Sequence, residues 1–244
     1  MLKKLILLPL VLSAFIQSAN SCEIKVSWES WSPYQAKDSS GKMTGLDIEL
    51  TEAIAKEAGC KITYFDSPWN RQLALNESGE IDITMGASKT PEREAFATFT
   101  DGYRNETNSL FVVKGAAADI KSVADLAKTK AKIGAARGTS YGAEVDAMKA
   151  KFDATADNDE LNVKKALAGR IDGFLVDQFT GFALIKAANA TDKIVLHPVT
   201  ISSGDVYLMV SKKTKVADLT NKLNAAIKKI KADGTQAKII AKYK

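Results

Sequence analysis

The chain is poor in the residues from which metal and catalytic sites are usually built. Among 244 residues there are one histidine, two cysteines and five prolines. Zinc sites draw on clustered His and Cys ligands, whereas His197 stands alone and the two cysteines are far apart. No G-x-S-x-G pattern surrounds a serine, and the glycines within 137–142 lack the lysine of a phosphate-binding loop. The sequence therefore predicts no metal site, no cofactor and no catalytic set.

Long hydrophobic runs are also absent after the first residues. Residues 1–21 have a basic start, an apolar run and small residues near the end, which is typical of a secretory signal peptide cleaved near Ser21. No later segment resembles a transmembrane helix. We therefore expect an exported protein that works in the periplasm.

Positive charge is in excess, but it forms no stripe. The formal net charge is +5, from 34 Lys and Arg against 29 Asp and Glu. The lysines cluster only in the last helix, where they are Lys222, Lys228, Lys229, Lys231, Lys238 and Lys242. Nucleic-acid binding needs a basic stripe with interleaved aromatic residues. We interpret the cluster as a solvated helix face and expect no nucleic-acid partner.

The two cysteines, Cys22 and Cys60, each come two residues before an apolar strand position. If those strands are parallel neighbours, both sulfur atoms lie at the same end and on the same side. In an oxidising compartment this favours a disulfide. The alternatives are a lipid-modified Cys22, although Ala19-Asn20-Ser21 is a poor lipidation signal, and a free thiol.

Helical and strand patterns alternate along the whole chain, which predicts an α/β fold. Expected strands include 23–28, 61–65, 81–85, 107–114, 132–136, 171–176 and 206–211. Expected helices follow the starts Thr44/Asp47, Ser67, Thr90, Ser122/Asp125 and Gly142, with further helices over 159–168 and at the C-terminus.

The segment from Ser67 to Tyr103 predicts a binding site. It reads as a helix, a buried strand and a second helix that opens with Thr90-Pro91 and carries Arg93 in its first turn. Helix starts offer free N–H groups, and arginine adds a bidentate donor. This combination suits a carboxylate at the end of a parallel strand, where α/β sheets hold ligands. A surface ion pair with Glu92 or Glu94 is the alternative for Arg93.

A weak internal sequence repeat predicts two similar lobes. Gly79-Glu80-Ile81-Asp82 and Gly169-Arg170-Ile171-Asp172 both lie between a helix and a buried strand. The strands near 108–113 and 206–211 would connect the lobes. We expect a discontinuous first lobe, 22–112 with 207–244, and a second lobe over 113–206.

The pattern G-x-I-D followed by G-x-S-x-T-x-x-R resembles the extracellular solute-binding proteins of family 3, which serve polar amino acid uptake. The resemblance runs from about Cys22 to Lys244. It implies a type II periplasmic binding protein-like fold, in which each lobe is a mostly parallel sheet flanked by helices and the ligand lies in the interlobe cleft. It further implies a monomer that captures an amino acid or related carboxylate by hinge closure and delivers it to a membrane ABC permease.

The resemblance also implies roles for individual residues in binding an amino acid. Arg93, Thr139 and Ser140 would hold the carboxylate, the last two unless they only cap a helix. Ser88 could donate to the carboxylate or accept from the ammonium. The ammonium would be held by the Gly86 carbonyl and by Asp177, for which capping the next helix is the alternative.

Trp31 and Trp69 would sandwich the ligand side chain, unless they only pack at a lobe edge. Arg71, in the run Pro68-Trp69-Asn70-Arg71, departs from the pattern of the amino acid binders. If it points into the cleft, it could bind a second carboxylate or an anion that is not an amino acid.

Two other functions stay open. A periplasmic dehydratase of the cyclohexadienyl type has the same fold, and Glu29 would be its general acid. A ligand sensor acting through a membrane partner is the third.

Overall fold

The computed structural model describes residues 22–243. The predicted signal peptide, 1–21, lies outside the described residues. Within them, no helix is both long and apolar enough to cross a membrane.

Strands occupy much of the molecule and are numbered here in chain order. They are β1 Cys22–Trp28, β2 Ala36–Lys37, β3 Met43–Thr44, β4 Cys60–Asp66, β5 Ile83–Ala87, β6 Ala97–Phe99, β7 Arg104–Val113, β8 Ile133–Ala136, β9 Asp153–Ala156, β10 Gly173–Asp177 and β11 Ile194–Ser211.

The α-helices lie between and after these strands. They are α1 Leu46–Glu57, α2 Trp69–Ser78, α3 Pro91–Glu94, α4 Ala143–Asp146, α5 Asp159–Leu167, α6 Gln178–Ala187, α7 Leu219–Ala232 and α8 Thr235–Ile240. Short 3₁₀ turns cover Val123–Ala127, Lys149–Lys151 and Ala241–Tyr243.

The strands pair in the order β4-β1-β5-β11-β7-β10-β8-β9, and β6 pairs with β11. On one side, β1 runs parallel to both β4 and β5; on the other, β8 runs parallel to both β9 and β10. The pairs of β7 with β10 and β11, and of β5 with β11, are antiparallel. Two largely parallel strand groups are thus joined through β7 and β11, and the predicted fold class is confirmed.

The hydrophobic core is divided between the two strand groups. One cluster packs β1 and β5 against α1 and α7, with Val26, Ile54 and Ile227 fully buried. Separate clusters surround β8 and β10. Leu110, Phe111 and Val112 belong to these second clusters, although the sequence places them in the first lobe. Val206, at the other predicted crossing, packs in the first cluster.

The disulfide predicted from the cysteine spacing is present. Cys22 and Cys60 are register partners on the parallel pair β1 and β4, and they are bonded to each other. Their Cα atoms lie 4.4 Å apart. Since the sulfur of Cys22 is bonded to Cys60, the disulfide interpretation is confirmed over the lipidated and free alternatives.

Several local predictions differ from the structure. Ser67 and Thr44 do not cap the helices that follow, because Pro68 and Gly45 occupy the cap positions without a side-chain bond. The helix expected over 142–151 is a short α-helix and a 3₁₀ turn. The strand expected over 206–211 begins twelve residues earlier, at Ile194, where pairing with β7 supports a segment of mixed polarity.

Candidate functional site

A cavity of about 270 Å³ lies between the two strand groups. Its wall is formed by segments that follow the C-terminal ends of β1, β5, β8 and β10. Because parallel strands present their carboxyl ends at one edge, residues distant in sequence meet here. Of the nine predicted binding residues, eight line this cavity: Trp31, Trp69, Gly86, Ser88, Arg93, Thr139, Ser140 and Asp177.

Arg71 is the predicted binding residue that does not reach the cavity. It is exposed on α2, two residues after Trp69. Two residues correspond to about 200° around a helix, so the side chains at these positions point in nearly opposite directions. Gln72, on another face of α2, is buried and donates to the Ser67 carbonyl at 2.8 Å.

Arg93 is held rigidly at the start of α3. Thr90 accepts a hydrogen bond from the Arg93 N–H at 3.3 Å, as the Thr-Pro start predicts. Arg93 as a whole is 6% exposed. Its guanidinium donates from Nη1 to the Ser88 carbonyl at 2.7 Å and from Nη2 to the Gly138 carbonyl at 3.0 Å. Burial lowers the pKa of Arg93 to about 10, so the group is charged at neutral pH. Two of its five N–H donors are thereby occupied, which leaves donors for an anion.

The backbone around Gly86 is shaped for close approach. Gly86 has φ +66°, a conformation that L side chains rarely adopt. A Cβ there would come within 3.0 Å of both the Asp47 carboxylate and the Trp31 ring. Its N–H donates to the Tyr103 hydroxyl at 2.9 Å and is therefore not free to bind a ligand.

Thr139 and Ser140 contribute from the loop after β8. Thr139 is exposed at the cavity wall, whereas Ser140 is buried. The Ser140 hydroxyl donates to the Asp146 carboxylate, which also accepts the Tyr141 N–H at 2.9 Å. Ser140 is thus fixed in orientation by Asp146, and its hydroxyl oxygen can still accept.

Asp177 ends β10 and caps α6. Its Oδ1 accepts the Thr180 N–H at 2.9 Å, while Oδ2 is buried and has no hydrogen-bond partner within residues 22–243. Burial raises the pKa of this carboxyl, because the charged form loses its hydration. Asp177 therefore does cap α6, and its second oxygen, near the Tyr34 and Thr180 hydroxyls, is available to accept from a further donor.

Trp31 and Trp69 are both half-buried at the cavity. The Trp31 ring packs against Tyr34, with 4.5 Å between ring centroids. The Trp69 ring lies 5.1 Å from the Arg93 guanidinium carbon, within cation–π range. Its indole Nε1 donates to the Gly138 carbonyl at 3.0 Å, so Trp69 and Arg93 share one acceptor across the cleft.

The sequence analysis does not predict a buried ion network that lies beside the cavity. Arg104 binds Asp47 through Nε at 2.6 Å and Nη2 at 3.0 Å, and Glu106 through Nη1 at 3.2 Å. The guanidinium carbon lies 3.8 Å from the Tyr34 ring centroid. The sequence position of Asp47 does indicate that this carboxylate is buried, because it shares one face of α1 with Leu50 and Ile54. A carboxylate at such a position requires a partner.

Several carboxyl groups at the cavity have raised pKa values. Burial raises the pKa of Glu29 to about 7, although its Oε2 accepts the Trp69 N–H at 3.2 Å. Burial, followed by the charges of Asp177, Glu29 and Glu106, raises the pKa of Asp159 to about 7, even though this residue keeps part of its surface exposed. Burial also raises the pKa of Glu106 against the opposing charge of Arg104. Burial thus favours the neutral form of these carboxyls, and a cation bound in the cavity would lower their pKa values. Across residues 22–243, no group of three or more His, Cys, Asp and Glu is arranged to hold a metal ion.

The chain is similar in sequence to proteins named as binding amino acids. An L-cystine-binding protein of Escherichia coli, TcyJ, is 27% identical, over 88% of this chain and 79% of that protein. A putative ABC transporter arginine-binding protein 2 of Escherichia coli is 27% identical over 98% of both chains.

Solved structures agree with these relatives. An ancestral arginine-binding protein bound to glutamine matches with a TM-score of 0.76 and 29% identity, over 91% of this chain and 97% of that one. An ancestral amino acid-binding protein, described as a precursor of cyclohexadienyl dehydratase, matches with a TM-score of 0.72 and 28% identity, over 91% and 94%. A family model covers residues 24–244, and the chain therefore belongs to the bacterial extracellular solute-binding proteins, family 3.

Proposed function

We propose that the protein captures an amino acid in the cavity between its lobes and delivers it to a membrane ABC permease. One observation carries the proposal: a buried guanidinium with spare donors, Arg93, and a buried carboxylate with an unpaired oxygen, Asp177, line the same cavity. An α-amino acid supplies the carboxylate and ammonium that complement these two groups. Relatives named as binding amino acids, one of them as part of an ABC transporter, support the same function.

In this arrangement the ligand carboxylate accepts from Arg93 and from the exposed Thr139, while the ammonium donates to Asp177 Oδ2 and the Gly86 carbonyl. Ser88 and Ser140 complete the polar wall. The side chain of the ligand then lies beside Trp31 and Trp69.

Capture would proceed by closure of one lobe on the other. We place the first lobe at about 22–106 and 204–243 and the second between them, because Tyr103 and Val206 pack in one core while Leu110 and Ile201 pack in another. The bonds from Trp69 and Arg93 to Gly138 then cross between lobes. Since a ligand bound to both sides favours the closed form, binding and closure are coupled.

A binding role accounts for the site without a chemical step. The dehydratase alternative would need Glu29 as a general acid, and its raised pKa would suit that role. The solved structure related to this enzyme is an ancestral amino acid-binding protein, a precursor of the dehydratase. The two relatives from Escherichia coli are also named as binding proteins. The observations thus favour binding.

The test is calorimetric titration of protein that has been unfolded, dialysed and refolded, using glutamine, arginine, histidine and cystine as probes. Wild-type protein should bind at least one of them, and Arg93→Ala should weaken that binding by tenfold or more. Arg71→Ala is the matched control, since it removes an exposed arginine nearby and should leave affinity unchanged.

Loss of binding in Arg93→Ala counts only if the variant keeps its circular dichroism spectrum and a cooperative melt. Absence of binding by the wild-type protein to all four probes would reject the amino-acid proposal. Equal affinities of Arg93→Ala and wild type would remove Arg93 from the carboxylate role.

A further inference from the structure

We propose that Tyr34 is a positioning residue for ligand binding: its hydroxyl, carried by the first lobe, donates to the second oxygen of Asp177, carried by the other lobe, and holds that carboxylate toward the ligand ammonium. This inference rests on the proposed function. It gives a role to a side chain that the predicted binding residues do not include.

The backbone of Tyr34 is fixed on both sides. Its N–H donates to the Trp31 carbonyl at 2.8 Å, and its own carbonyl accepts the Asp47 N–H at 2.9 Å. A Cβ on Gly45 would lie 2.3 Å from the Tyr34 carbonyl oxygen, so the start of α1 approaches this peptide closely. Tyr34 is 1% exposed and cannot shift without disturbing the start of α1.

The ring of Tyr34 is held as firmly as its backbone. The Arg104 guanidinium carbon lies 3.8 Å from the ring centroid, and the Trp31 ring packs against it with 4.5 Å between centroids. Arg104 is in turn bound by both carboxylate oxygens of Asp47. A cation at the face of an aromatic ring is attracted to its electron density and draws on it, which makes the Tyr34 hydroxyl a stronger hydrogen-bond donor.

The strand register places Asp177 on the same side of the sheet as Arg104. Asp177 on β10 is the register partner of Asn108 on β7. Because side chains alternate along a strand, Arg104, Glu106 and Asn108 share one face of β7. Register partners lie on the same face of a sheet, so Asp177 lies on that face as well. The ring that packs on Arg104 is therefore on the side where Asp177 and Glu106 line the cavity.

Asp177 has one oxygen that is ready to accept. Its Oδ1 accepts the Thr180 N–H, whereas Oδ2 is buried near the Tyr34 and Thr180 hydroxyls without a completed hydrogen bond within residues 22–243. An ionised carboxylate has about four lone-pair sites, so Tyr34 can use one and leave others for an ammonium. Of the two hydroxyls, that of Tyr34 comes from the opposite lobe, and its bond to Oδ2 would be completed as a ligand closes the cleft.

The protonation states of the two groups suit this bond. Burial raises the pKa of Tyr34 well above its ordinary value, so the phenol keeps the proton that it donates. Burial also raises the pKa of Asp177, and the Thr180 N–H, Arg104 and the Tyr34 hydroxyl oppose that rise. Losing the hydroxyl should therefore raise this pKa further and weaken the hold on an ammonium. The charged groups within electrostatic reach of Asp177 are Arg104 and Glu106 on β7 and Asp159 on α5.

Tyr34→Phe tests the role, because it keeps the ring and removes the hydroxyl. Calorimetry on refolded protein would use the tightest binder among glutamine, arginine, histidine and cystine, at fixed ionic strength from pH 5 to pH 8. The variant should bind at least fivefold more weakly at pH 7. The ratio of its Kd to the wild-type Kd should grow as the pH falls, because binding then has to deprotonate Asp177 against a higher pKa. A role in packing alone would give a ratio that does not change with pH.

A double-mutant cycle with Asp177→Asn identifies the partner of the hydroxyl. In the Asp177→Asn background, Tyr34→Phe should change Kd by about twofold or less, because only a neutral partner remains. The matched control is Tyr64→Phe. It removes another hydroxyl beside a carboxylate, that of Glu52 at 3.4 Å, from a residue that does not line the cavity. This control should leave the affinity and its pH dependence unchanged.

The outcomes separate this role from the function on which it rests. Equal Kd values for Tyr34→Phe and wild type would overturn the role while leaving amino-acid binding intact. A Kd ratio that stays constant with pH, or an equal loss in both backgrounds of the cycle, would overturn it too. Binding of none of the four probes to the wild type would reject the function and the role together.

A second variant keeps the role testable if Tyr34→Phe does not fold. It carries 3-fluorotyrosine at position 34, which keeps the ring and the hydroxyl and makes the hydroxyl a stronger donor. Its Kd at pH 5 should be lower than that of the wild type, because the stronger donor favours ionised Asp177. A Kd no lower than the wild-type value would then overturn the role.

Discussion

The hydrogen bond from the Trp69 indole to the Gly138 carbonyl should contribute to ligand affinity although neither atom need contact the ligand. It spans 3.0 Å between the two strand groups, so we expect it to form only in the closed state proposed above. Gly138 has φ +75°, and a Cβ there would lie 2.4 Å from the Asn70 amide oxygen. The close approach that allows this bond therefore depends on glycine at position 138.

Removing the indole N–H should cost about 1 kcal/mol, the usual net contribution of a neutral hydrogen bond. The larger cost of leaving a carbonyl without any hydrogen bond does not apply, because the Gly138 carbonyl still accepts from Arg93 Nη2 at 3.0 Å. A loss of about 1 kcal/mol corresponds to about a fivefold rise in Kd. Since the bond forms on closure, we expect the change in the dissociation rate rather than the association rate.

The assay combines calorimetry and stopped-flow release, using whichever amino acid probe binds the wild type most tightly. Trp69→Phe removes the N–H but also part of the ring. A second variant carries β-(3-benzothienyl)alanine at position 69, which keeps the ring size and replaces the N–H with sulfur. Both variants should raise Kd, the second by about fivefold. An unchanged Kd in the benzothienyl variant would refute the reasoning, even if Trp69→Phe binds weakly.

Three further predictions follow from other features of the site and fold. Asp177→Asn keeps a capping oxygen for the Thr180 N–H but loses the charge offered to the ligand ammonium, so calorimetry should show amino-acid affinity falling by about 2–3 kcal/mol without a matching loss of melting temperature. The pKa of Glu29 is about 7 in the folded, ligand-free protein and 4.5 ordinarily, so its stabilising contribution is present below about pH 4.5 and is lost as pH rises through about 7. Asp159 and Glu106 also have raised pKa values, so urea unfolding should show stability falling between pH 5 and pH 8 in both proteins, with the fall smaller by about 1–2 kcal/mol in Glu29→Gln than in the wild type. The Cys22–Cys60 disulfide closes a segment with a sequence separation of 38, so its reduction should lower the free energy of unfolding by about 3–4 kcal/mol, and an unchanged urea midpoint would contradict this.

Features set by local patterns could be predicted from the sequence. The α/β alternation, the disulfide between register partners and the Thr90 cap beneath Arg93 all depend on residues close in sequence or on strand periodicity. The predicted cavity residues, apart from Arg71, meet because parallel strands share one edge. Their contacts with a ligand stay predictions.

Features set by tertiary pairing could not be predicted in the same way. Asp47 and Arg104 are 57 residues apart, and no local pattern pairs them. The early start of β11 was missed because Pro198, Gly204 and neighbouring serines interrupt its apolar pattern, and β7 supplies the partner that makes it a strand. The run Pro68-Trp69-Asn70-Arg71 alone assigns Arg71 to the site, whereas in the structure this residue lies on the exposed face of α2.

Because β11 is the last strand in the sequence, it limits the order in which the chain can fold. The first strand group is complete only when Tyr207, Met209 and Val210 pair with Ala87, Thr84 and Ile83, which are synthesised over a hundred residues earlier. Until then β5 presents an unpaired apolar edge, while β8, β9 and β10 already have one another within the emerged chain. Contacts of such long range are slow to form, so the middle of the chain should gain amide protection before its beginning in a pulse-labelling experiment. This order would suit the export that residues 1–21 predict, because the N-terminal half cannot close its sheet until the last strand has been made.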